Sequence, residues 1–256
     1  MRVSFLQKIL CLPIRLFFSR LSVGGRTDLL ELITRYSLQG LEIQDRLRIL
    51  LGLDSRLYEM QGPAAKQYGG GVHTKHKHMR YYEFFTSNLQ PGMKVLDIGS
   101  GNGLLDLKLA ENVDGLEVVG LEMDPDNVAQ ARSSHSHPKI KYIQGDANQF
   151  EPDESFDVVI LSNVLEHFPK RVELLKRLIQ NTKAPVFLIR VPSFERDWRV
   201  PLKEELGIEY RLDPTHFVEY TIAQFNSEMM AAGLAVDSLS TQWGEIWSVL
   251  KVKRIL

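Results

Sequence analysis

The chain has 256 residues, of which 44% are hydrophobic and 25% charged, a composition typical of a globular protein with one large or two small domains. Its formal net charge of −1 excludes a general attraction to nucleic acid, so a charged partner has to be met by a local patch. The single cysteine, Cys11, excludes a disulfide framework and a zinc site built on several thiolates. This cysteine usage suits a reducing cytoplasm.

The first 26 residues differ in charge from the rest of the chain. The apolar stretch "FLQKILCLPIRLFF" lies among five basic residues, and no acid precedes Asp28. Lys8, Pro13 and Arg15 interrupt every window of the ~18 apolar residues that a membrane span needs. Lys8 and Arg15 would share one face of a helix, as in segments that lie on an anionic membrane surface. We therefore predict peripheral membrane contact through residues 1–26, with a packing helix as the alternative.

The next part of the chain has a helical pattern. Apolar residues recur near the 3.6-residue period from Thr27 to about Tyr58. The Gly/Pro-rich stretch "QGPAAKQYGGGVH" then predicts a connector, and "HTKHKHMRYYEFFTSNLQPG" predicts one further helix that ends at Pro91. We place an N-terminal helical extension at residues 1–72 and a second domain at residues 73–256.

From Lys94 onward, short apolar strands alternate with helical stretches. The first five strand patterns are "KVLDIG", "LEVVGLE", "IKYIQGD", "FDVVILS" and "PVFLIRV". Helices are expected near residues 103–111, 125–134, 169–181 and 221–232. Such alternation predicts a parallel sheet covered by helices on both faces. The last two strands, "LAVDSLSTQW" and "EIWSVLKVKRI", meet at Gly244 with no room for a crossover helix, so we expect them to pair antiparallel.

Three glycines follow the first strand directly. Gly99, Gly101 and Gly103 have the spacing G-x-G-x-G, whereas a dinucleotide loop needs a further small residue where this chain has Leu104. Asp97 ends the strand just before the glycines. Its carboxylate would repel a pyrophosphate but attract an ammonium or a sulfonium. The sequence therefore favours a cationic cofactor over a phosphorylated one.

Acids also close the second and third strands. Glu122 can accept hydrogen bonds from both hydroxyls of an adenosine ribose, because a carboxylate offers two oxygens. Asp146 could accept from an adenine amino group, and the backbone of Ala147 is free for a ring nitrogen. Ligands in such sheets bind outside the carboxyl ends of the strands. Three acids in this position indicate a nucleoside-containing ligand rather than solvated loop residues.

The motifs "VLDIGSGNG", "GLEMD", "GDA" and "FDVVILSNVLEHF" resemble, in this order, those of the class I S-adenosylmethionine-dependent methyltransferases. The resemblance covers about residues 73–250. It implies an α/β, doubly wound, seven-stranded and mostly parallel sheet with the last strand reversed, a Rossmann-like fold. It also implies S-adenosyl-L-methionine as the cofactor, bound by Asp97, Gly99, Ser100, Gly101, Gly103, Glu122, Met123, Asp146, Ala147 and Asn163.

Three further stretches resemble a bacterial and archaeal methyltransferase subgroup that is associated with surface-glycan gene clusters. They are "GVHTKHKHMRYYEFF", "RVPSFERDWRVPLKEELGIEYRLDPTHFVEYT" and the later "WGEIW". This resemblance implies a small-molecule or glycan acceptor. From the cysteine usage we predict a cytoplasmic protein, at the inner face of the membrane if residues 1–26 bind there. No basic stripe runs through the catalytic half, so a nucleic-acid acceptor is not expected.

The stretch "SNVLEHF" places Glu166 and His167 just past the fourth strand. It resembles the E-x-x-E-H motif of small-RNA 2′-O-methyltransferases and ubiquinone-pathway O-methyltransferases, in which two acids and the histidine hold a divalent ion. Here the first acid is replaced by Asn163, a poorer ligand for a hard cation. We therefore expect no resident metal, although a divalent ion with His216 of "DPTHF" as third ligand is an alternative. The predicted catalytic residues are Glu166, His167 and His216.

Two basic stretches lie near this predicted site. The run "HTKHKHMR" contains six His, Lys and Arg residues. It is interpreted either as a solvated helix face or as a flap that meets an anionic substrate such as a phosphate-linked sugar. The segment from Pro192 to His216 combines basic and aromatic residues. It suits contact with a carbohydrate or another polar ring, or else forms a structural lid.

The sequence as a whole predicts a methyltransferase that acts on an oxygen of a small molecule or glycan. An aliphatic hydroxyl must lose its proton to a base such as histidine, whereas a neutral amine can attack directly. N-methylation and a non-catalytic cofactor-binding subunit are the alternatives. Asp97 and Leu104 disfavour a nicotinamide oxidoreductase. The oligomeric state is left open.

Overall fold

The computed structural model describes residues 13–253. They divide into two compact units, and the boundary along the chain falls between Leu57 and Tyr58. In the first unit, α1 (Val23–Ser37) begins after Ser22, whose side chain accepts a hydrogen bond from the amide of Gly25 at 3.1 Å. This serine cap satisfies one of the free N–H groups of the first turn. Within residues 13–253, no helix is both long and apolar enough to cross a membrane.

The helix α2 (Ile43–Tyr68) corrects the connector predicted from sequence. It continues through Pro63, and the chain leaves the helix only at Gly70 and Gly71, whose φ values are 67° and 103°. A proline removes one helical hydrogen bond, but the alanines and long polar residues that follow it favour the helix. The predicted domain boundary between residues 72 and 73 stays a prediction.

The single helix predicted before the first strand is also wrong. Two short helices occupy this segment, α3 (Lys75–Met79) and α4 (Tyr82–Thr86). Arg80 separates them with a φ of 48°. A left-handed residue interrupts the helical hydrogen-bond ladder and turns the chain.

Seven strands form one mixed sheet in the order β3-β2-β1-β4-β5-β7-β6. The strands β1 to β5 run parallel, and β7 pairs antiparallel with both β5 and β6. The doubly wound, mostly parallel fold and the reversed last strand are confirmed. The strands are β1 (Lys94–Ile98), β2 (Glu117–Glu122), β3 (Ile140–Gln144), β4 (Val158–Ser162), β5 (Val186–Pro192), β6 (Leu234–Gln242) and β7 (Glu245–Val252).

Helices cover both faces of the sheet, and each face has its own apolar core. One core includes α7 (Arg171–Thr182) and α9 (Ile222–Ala232) packed on Leu96 and Leu161, and the other includes α4 and α5 (Leu104–Asn112) packed on Val95 and Ile160. Alternate residues of a strand point to opposite faces, so Asp97 shares the face of Val95. The remaining helices are α6 (Pro125–Ser134) and α8 (Arg199–Glu205), with short 3₁₀ turns at Leu165–His167 and Phe194–Arg196.

Gly120 in β2 lies under the glycine loop with no room for a side chain. A Cβ atom there would lie 2.6 Å from Asp106 Oδ2, 2.8 Å from Ser100 Oγ and 2.9 Å from Tyr142 Cδ1. We expect Gly120→Ala to lower the free energy of unfolding by ~1–3 kcal/mol, because overpacking forces neighbours to shift. Denaturant unfolding against the exposed-site control Ser133→Ala tests this, and equal midpoints for the two variants would contradict it.

Candidate active site

The glycine loop after β1 requires glycine at its first and third glycine positions. Gly99, Gly101 and Gly103 all have positive φ, at 69°, 55° and 79°. A Cβ on Gly99 would lie 2.5 Å from Val164 Cγ2, and one on Gly103 would lie 2.3 Å from the Tyr142 hydroxyl. Glycine alone combines this backbone conformation with such close packing. The loop therefore brings bare backbone to the carboxyl edge of the sheet.

Asp97 and Asp106 are buried carboxyl groups under this loop. Asp97 is 2% exposed and Asp106 is fully buried. Within residues 13–253, Asp97 Oδ1 and both carboxyl oxygens of Asp106 have no hydrogen-bond partner. Burial raises the pKa of Asp97, and burial together with the neighbouring Asp97 charge raises the pKa of Asp106. An ammonium or sulfonium beside Asp97 would supply the missing counter-charge, so the site fits the predicted cationic cofactor.

Glu122 connects the first two strand ends. Its Oε2 accepts a hydrogen bond from the amide of Gly101 at 2.8 Å, and its Oε1 accepts one from the amide of Asp124 at 2.8 Å. Each oxygen keeps acceptor capacity for a ribose hydroxyl. Beyond β3, Asp146 Oδ1 accepts from the amide of Asn148 at 2.8 Å.

Two further predicted cofactor residues differ in exposure. The side chain of Met123 is 70% exposed, whereas Ala147 is buried in the apolar core. The predicted roles of these residues stay predictions, but the structure places them at the ends of neighbouring strands, along one edge of the sheet.

The structure brings together the three predicted catalytic residues. Glu166 and His167 lie in the 3₁₀ turn after β4, and His216 approaches them from the long segment after β5. The rings of His167 and His216 meet edge to face with centroids 4.6 Å apart, and His216 Nε2 lies 4.0 Å from Glu166 Oε1. One ligand atom of each residue lies within 4.8 Å of the others. The amide of Phe217 holds this arrangement by donating to the Glu166 carbonyl at 2.8 Å.

Hydrogen bonds to the Nδ1 atoms fix the tautomers of both histidines. The Thr215 hydroxyl donates its one hydrogen to Asp213 Oδ1 at 2.7 Å, so it accepts from His167 Nδ1 at 2.9 Å. His216 Nδ1 lies 3.3 Å from Glu219 Oε1, a carboxylate that can only accept. Both rings therefore keep the lone pair of Nε2 for a proton or a metal ion.

Electrostatics distinguish Glu166 from an ordinary surface acid. It is 1% exposed, and neither of its carboxyl oxygens has a hydrogen-bond partner in the part of the chain that the structure describes. Burial raises its pKa to about 8, while burial and the neighbouring His216 lower the pKa of His167. One carboxylate and two imidazoles are ligand types that divalent transition metals prefer. The geometry therefore fits the divalent-ion alternative, and the expected absence of a resident metal stays a prediction.

Asn163, at the position of the first acid of the E-x-x-E-H motif, is hydrogen-bonded to β7. Its φ is 56°, and its Nδ2 donates to Glu245 Oε1 at 3.1 Å. Its Oδ1 is buried without a hydrogen-bond partner among the described residues. The amide is therefore directed toward Glu245 at the start of β7.

Sequence reasoning missed the acids that support the site. Glu219 is buried, receives a hydrogen bond from the amide of Leu212, and pairs with Arg196 as well as with His216. Glu245, at the start of β7, accepts from the Trp247 indole at 2.9 Å. A charged residue next to aromatic ones, as in "HFVEY" and "WGEIW", was the signal available for both.

Comparison with known proteins agrees with this geometry. A model of a methyltransferase domain matches residues 95–184. The ubiquinone biosynthesis O-methyltransferase of Azorhizobium caulinodans is 31% identical over 173 residues, which cover 63% of this chain and 67% of that protein. The chain belongs to the class I S-adenosylmethionine-dependent methyltransferases. The predicted family, enzyme class and cofactor are confirmed.

Two further matches define how far this similarity extends. The ubiquinone biosynthesis O-methyltransferase of Bradyrhizobium diazoefficiens is 34% identical over 127 residues, so this methyltransferase chain matches about half, 49%, of that relative. A TehB-like methyltransferase from Corynebacterium glutamicum superposes with a TM-score of 0.52 at 15% identity, covering 79% of this chain and all of that one. At this identity the superposition supports the fold alone. The surface-glycan subgroup stays a prediction.

The raised pKa of Glu166 predicts how pH affects stability. The folded state holds a proton between about pH 4.5 and pH 8 that the unfolded chain has released, so the free energy of unfolding falls as pH rises through this window. Because Glu166→Gln keeps an uncharged group, we expect its stability relative to wild type to rise by ~1–3 kcal/mol between pH 5 and pH 8. Urea unfolding at both pH values measures this.

Glu151→Gln, which changes an exposed acid, is the control and should follow the wild type. Adding Mn²⁺ at pH 8 should restore stability to the wild type and not to Glu166→Gln, if the carboxylate binds a cation. The same dependence on pH in wild type and Glu166→Gln would contradict the burial argument.

Proposed function

We propose that this methyltransferase transfers the methyl group of S-adenosylmethionine to a hydroxyl oxygen of a small molecule or glycan. The observation that carries the proposal is the convergence of Glu166, His167 and His216 beyond β4 and β5. The printed names of the relatives, which are O-methyltransferases for ubiquinone biosynthesis, support the same reaction.

Residues along the carboxyl edge of the sheet would hold the cofactor. Asp97 would pair with the positively charged methionine end, Glu122 would accept from the ribose hydroxyls, and Asp146 with the backbone of Ala147 would bind the adenine. When bound, S-adenosylmethionine supplies an activated methyl group and a neutral thioether leaving group. Little further activation of the donor is needed, so the protein contributes chiefly by positioning the two reactants and excluding water.

The proton of the acceptor is the step for which this chain supplies chemistry. An aliphatic hydroxyl must lose its proton as its oxygen bonds to the methyl carbon. Nε2 of His167 is a suitable acceptor for that proton, because burial and the neighbouring His216 lower the His167 pKa and keep the ring neutral near pH 7. Thr215 holds the tautomer that leaves this nitrogen free.

A divalent ion is the specific alternative that the geometry supports. Glu166 and the two Nε2 atoms would hold it, and it would acidify a hydroxyl bound to it. An amine acceptor needs no such group, and a non-catalytic subunit needs no convergent cluster. The cluster therefore favours O-methylation over both of these alternatives.

Exposed aromatic side chains support a ring-containing acceptor such as a sugar. Phe217 directly follows His216 and is 61% exposed, and Trp198 is 71% exposed. Large exposed aromatic residues are characteristic of binding surfaces. Both belong to or adjoin the segment from Pro192 to His216, for which the sequence predicts either contact with a polar ring or a structural lid.

Replacing either histidine should separate catalysis from cofactor binding. We expect His167→Ala and His216→Ala to lower the methylation rate by ~10²–10⁴, the usual contribution of a general base, while affinity for S-adenosylhomocysteine stays within about twofold of wild type. Mass spectrometry of products from a panel of glycans and hydroxylated metabolites gives the rate, and calorimetry gives the affinity. His78→Ala, which changes an exposed histidine, is the control.

Chelation distinguishes the two versions of the mechanism. Loss of activity with a chelator, restored by Mg²⁺ or Mn²⁺, supports the ion, whereas insensitivity supports direct proton transfer. Wild-type activity in both alanine variants would refute a histidine role and indicate an amine acceptor. Wild-type protein that binds no S-adenosylhomocysteine would refute the whole proposal.

We also propose that residues 1–26 contact an anionic membrane surface. Residues 1–12 lie outside the described part of the chain. In the described part, Ile14, Leu16 and Phe17 are each more than half exposed. The helix α1 that follows contains no buried residue, counted over the described chain. Exposed apolar side chains beside several arginines are the features of a helix that lies at a lipid interface.

Removing charge from this segment tests the proposal. We expect the combined change of Arg15, Arg20 and Arg26 to Gln to weaken binding to vesicles containing phosphatidylserine, since each basic residue contributes about 1 kcal/mol near such a surface. The matched control changes Arg46, Arg56 and Lys66 in α2 to Gln and should bind as wild type does. Cosedimentation measures both, and equal loss in the two variants would reduce the effect to net charge.

A further inference from the structure

Arg190 is a buried cation in an otherwise apolar strand. It lies in β5 between Ile189 and Val191, both fully buried, and is itself 4% exposed. Its side chain points to the sheet face that α4 covers, where its guanidinium carbon lies 4.0 Å from the centre of the Tyr81 ring. A buried charge is costly unless it is paired and hydrogen-bonded. The pairing of Arg190 is therefore informative.

Its ion pair with β7 does not use all of its donors. Nε lies 3.0 Å from Glu245 Oε2, yet over residues 13–253 neither Nε nor Nη1 makes a hydrogen bond. Glu245 also accepts from the Trp247 indole at 2.9 Å and from Asn163 Nδ2 at 3.1 Å. A guanidinium has five N–H donors in a planar fork that matches carboxylate and phosphate oxygens. Arg190 thus keeps unused donors in a buried position, which indicates a missing anionic partner.

A second cation lies on the solvent side of Arg190. Lys75 lies in α3 next to His76, whose Nδ1 is 2.9 Å from the hydroxyl of Tyr81, the ring that Arg190 covers. Partial burial, and after it the Arg190 charge, lower the pKa of Lys75. Burial, Lys75 and Arg190 together lower the pKa of His76 to about 4, so this imidazole stays neutral. An anion entering beside Lys75 would therefore meet both cations.

The position in the sheet indicates which reactant carries the anion. The cofactor residues follow β1, β2 and β3, whereas Arg190 lies in β5, on the other side of β4. The Arg190 charge acts on Asp97 of the cofactor half as well as on Glu166 of the cluster proposed to receive the acceptor hydroxyl, so the strand order decides the assignment. Arg190 is therefore closer in the sheet order to the acceptor half than to the cofactor half.

We propose that Arg190 and Lys75 form a subsite for an anionic oxygen group, a carboxylate or a phosphate, on the methyl acceptor. This inference rests on the proposed methyl transfer, because it assigns the anion to the acceptor of that reaction. Within the basic run "HTKHKHMR", the proposal assigns a role in anion binding to Lys75 and none to the exposed Lys77.

Calorimetry with simple probes tests the subsite without knowing the acceptor. The protein saturated with S-adenosylhomocysteine is titrated with benzoate, phenyl phosphate and uncharged phenol. We expect at least one anion to bind ~10-fold or more tightly than phenol, with benzoate against phenyl phosphate identifying the group. Lys75→Ala and Arg190→Met should each lower the affinity for that anion by ~10-fold or more, since hydrogen bonds to charged groups contribute this much binding free energy. Lys77→Ala, on the same helix, should have no effect.

Two further measurements keep folding and cofactor effects apart. Arg190→Met leaves Glu245 buried without its partner, so Arg190→Lys, which keeps the charge, should retain part of the affinity and a melting temperature near wild type. Binding of S-adenosylhomocysteine and of 5′-methylthioadenosine, which lacks the amino-acid end, should change less than about twofold in Lys75→Ala and Arg190→Lys.

The outcomes that overturn the subsite are specific. Equal affinity for phenol and both anions overturns it, as does equal loss in Lys75→Ala and Lys77→Ala. If the Arg190 variants lose S-adenosylhomocysteine but keep 5′-methylthioadenosine, the anion is the carboxylate of the cofactor and the acceptor assignment is wrong. If the wild-type protein binds no S-adenosylhomocysteine, the proposed function is refuted. The anion titrations of the cofactor-free protein then test the subsite separately.

Discussion

Parallel pairing of β1 with β2 and β4, and of β4 with β5, is the constraint on which the site depends. It brings strand ends that are distant in sequence to one edge of the sheet, where helices on both faces leave the ends open. Asp97 and Glu122 come to neighbouring strand ends in this way. Glu166 follows β4, the strand on the other side of β1. Without this register the same residues would be unrelated surface acids.

The site contains buried polar groups whose hydrogen-bonding capacity the fold itself leaves unused. Asp97, Asp106 and Glu166 are buried, and they carry oxygen atoms without partners in the described chain. Each such group opposes folding. Two apolar cores stabilise the chain against this cost, since each fully buried Leu or Phe contributes about 1.5–3 kcal/mol. Ligands that complete these groups should then stabilise the folded state, because they bind it and not the unfolded chain.

The sequence predicts the strands and the glycine loop well because their determinants are local. A buried β-strand between helices is recognised in the sequence as a short apolar run. A position with positive φ and no space for a Cβ atom, such as Gly99, is recognised because the residue there is glycine. The meeting of His167 with His216 could be predicted only from their places beyond the carboxyl ends of the fourth and fifth strands, since their separation in the chain carries no local signal.

The features that sequence reasoning missed depend on tertiary context. Pro63 does not end α2, because the residues that follow it sustain the helix. Arg80 interrupts a predicted helix because its backbone is left-handed. The residue is neither glycine nor asparagine, so the sequence does not indicate this conformation. Glu219 becomes a positioning acid only when its loop folds over the 3₁₀ turn. Burial and packing decide each of these, and neither is encoded in a short window.

The hairpin of β6 and β7 has a consequence for the order in which the molecule assembles. Its strand β7 inserts between β5 and β6, and it brings Glu245 to Arg190 and the carbonyl of Gly244 to the amide of Ser193. These contacts join residues that are far apart along the chain, and such contacts form slowly because closing a long loop costs entropy. A folding intermediate with β1 to β5 paired would hold the Arg190 charge uncompensated. Docking of the hairpin would then complete the sheet and give the buried Arg190 its partner Glu245 in one step.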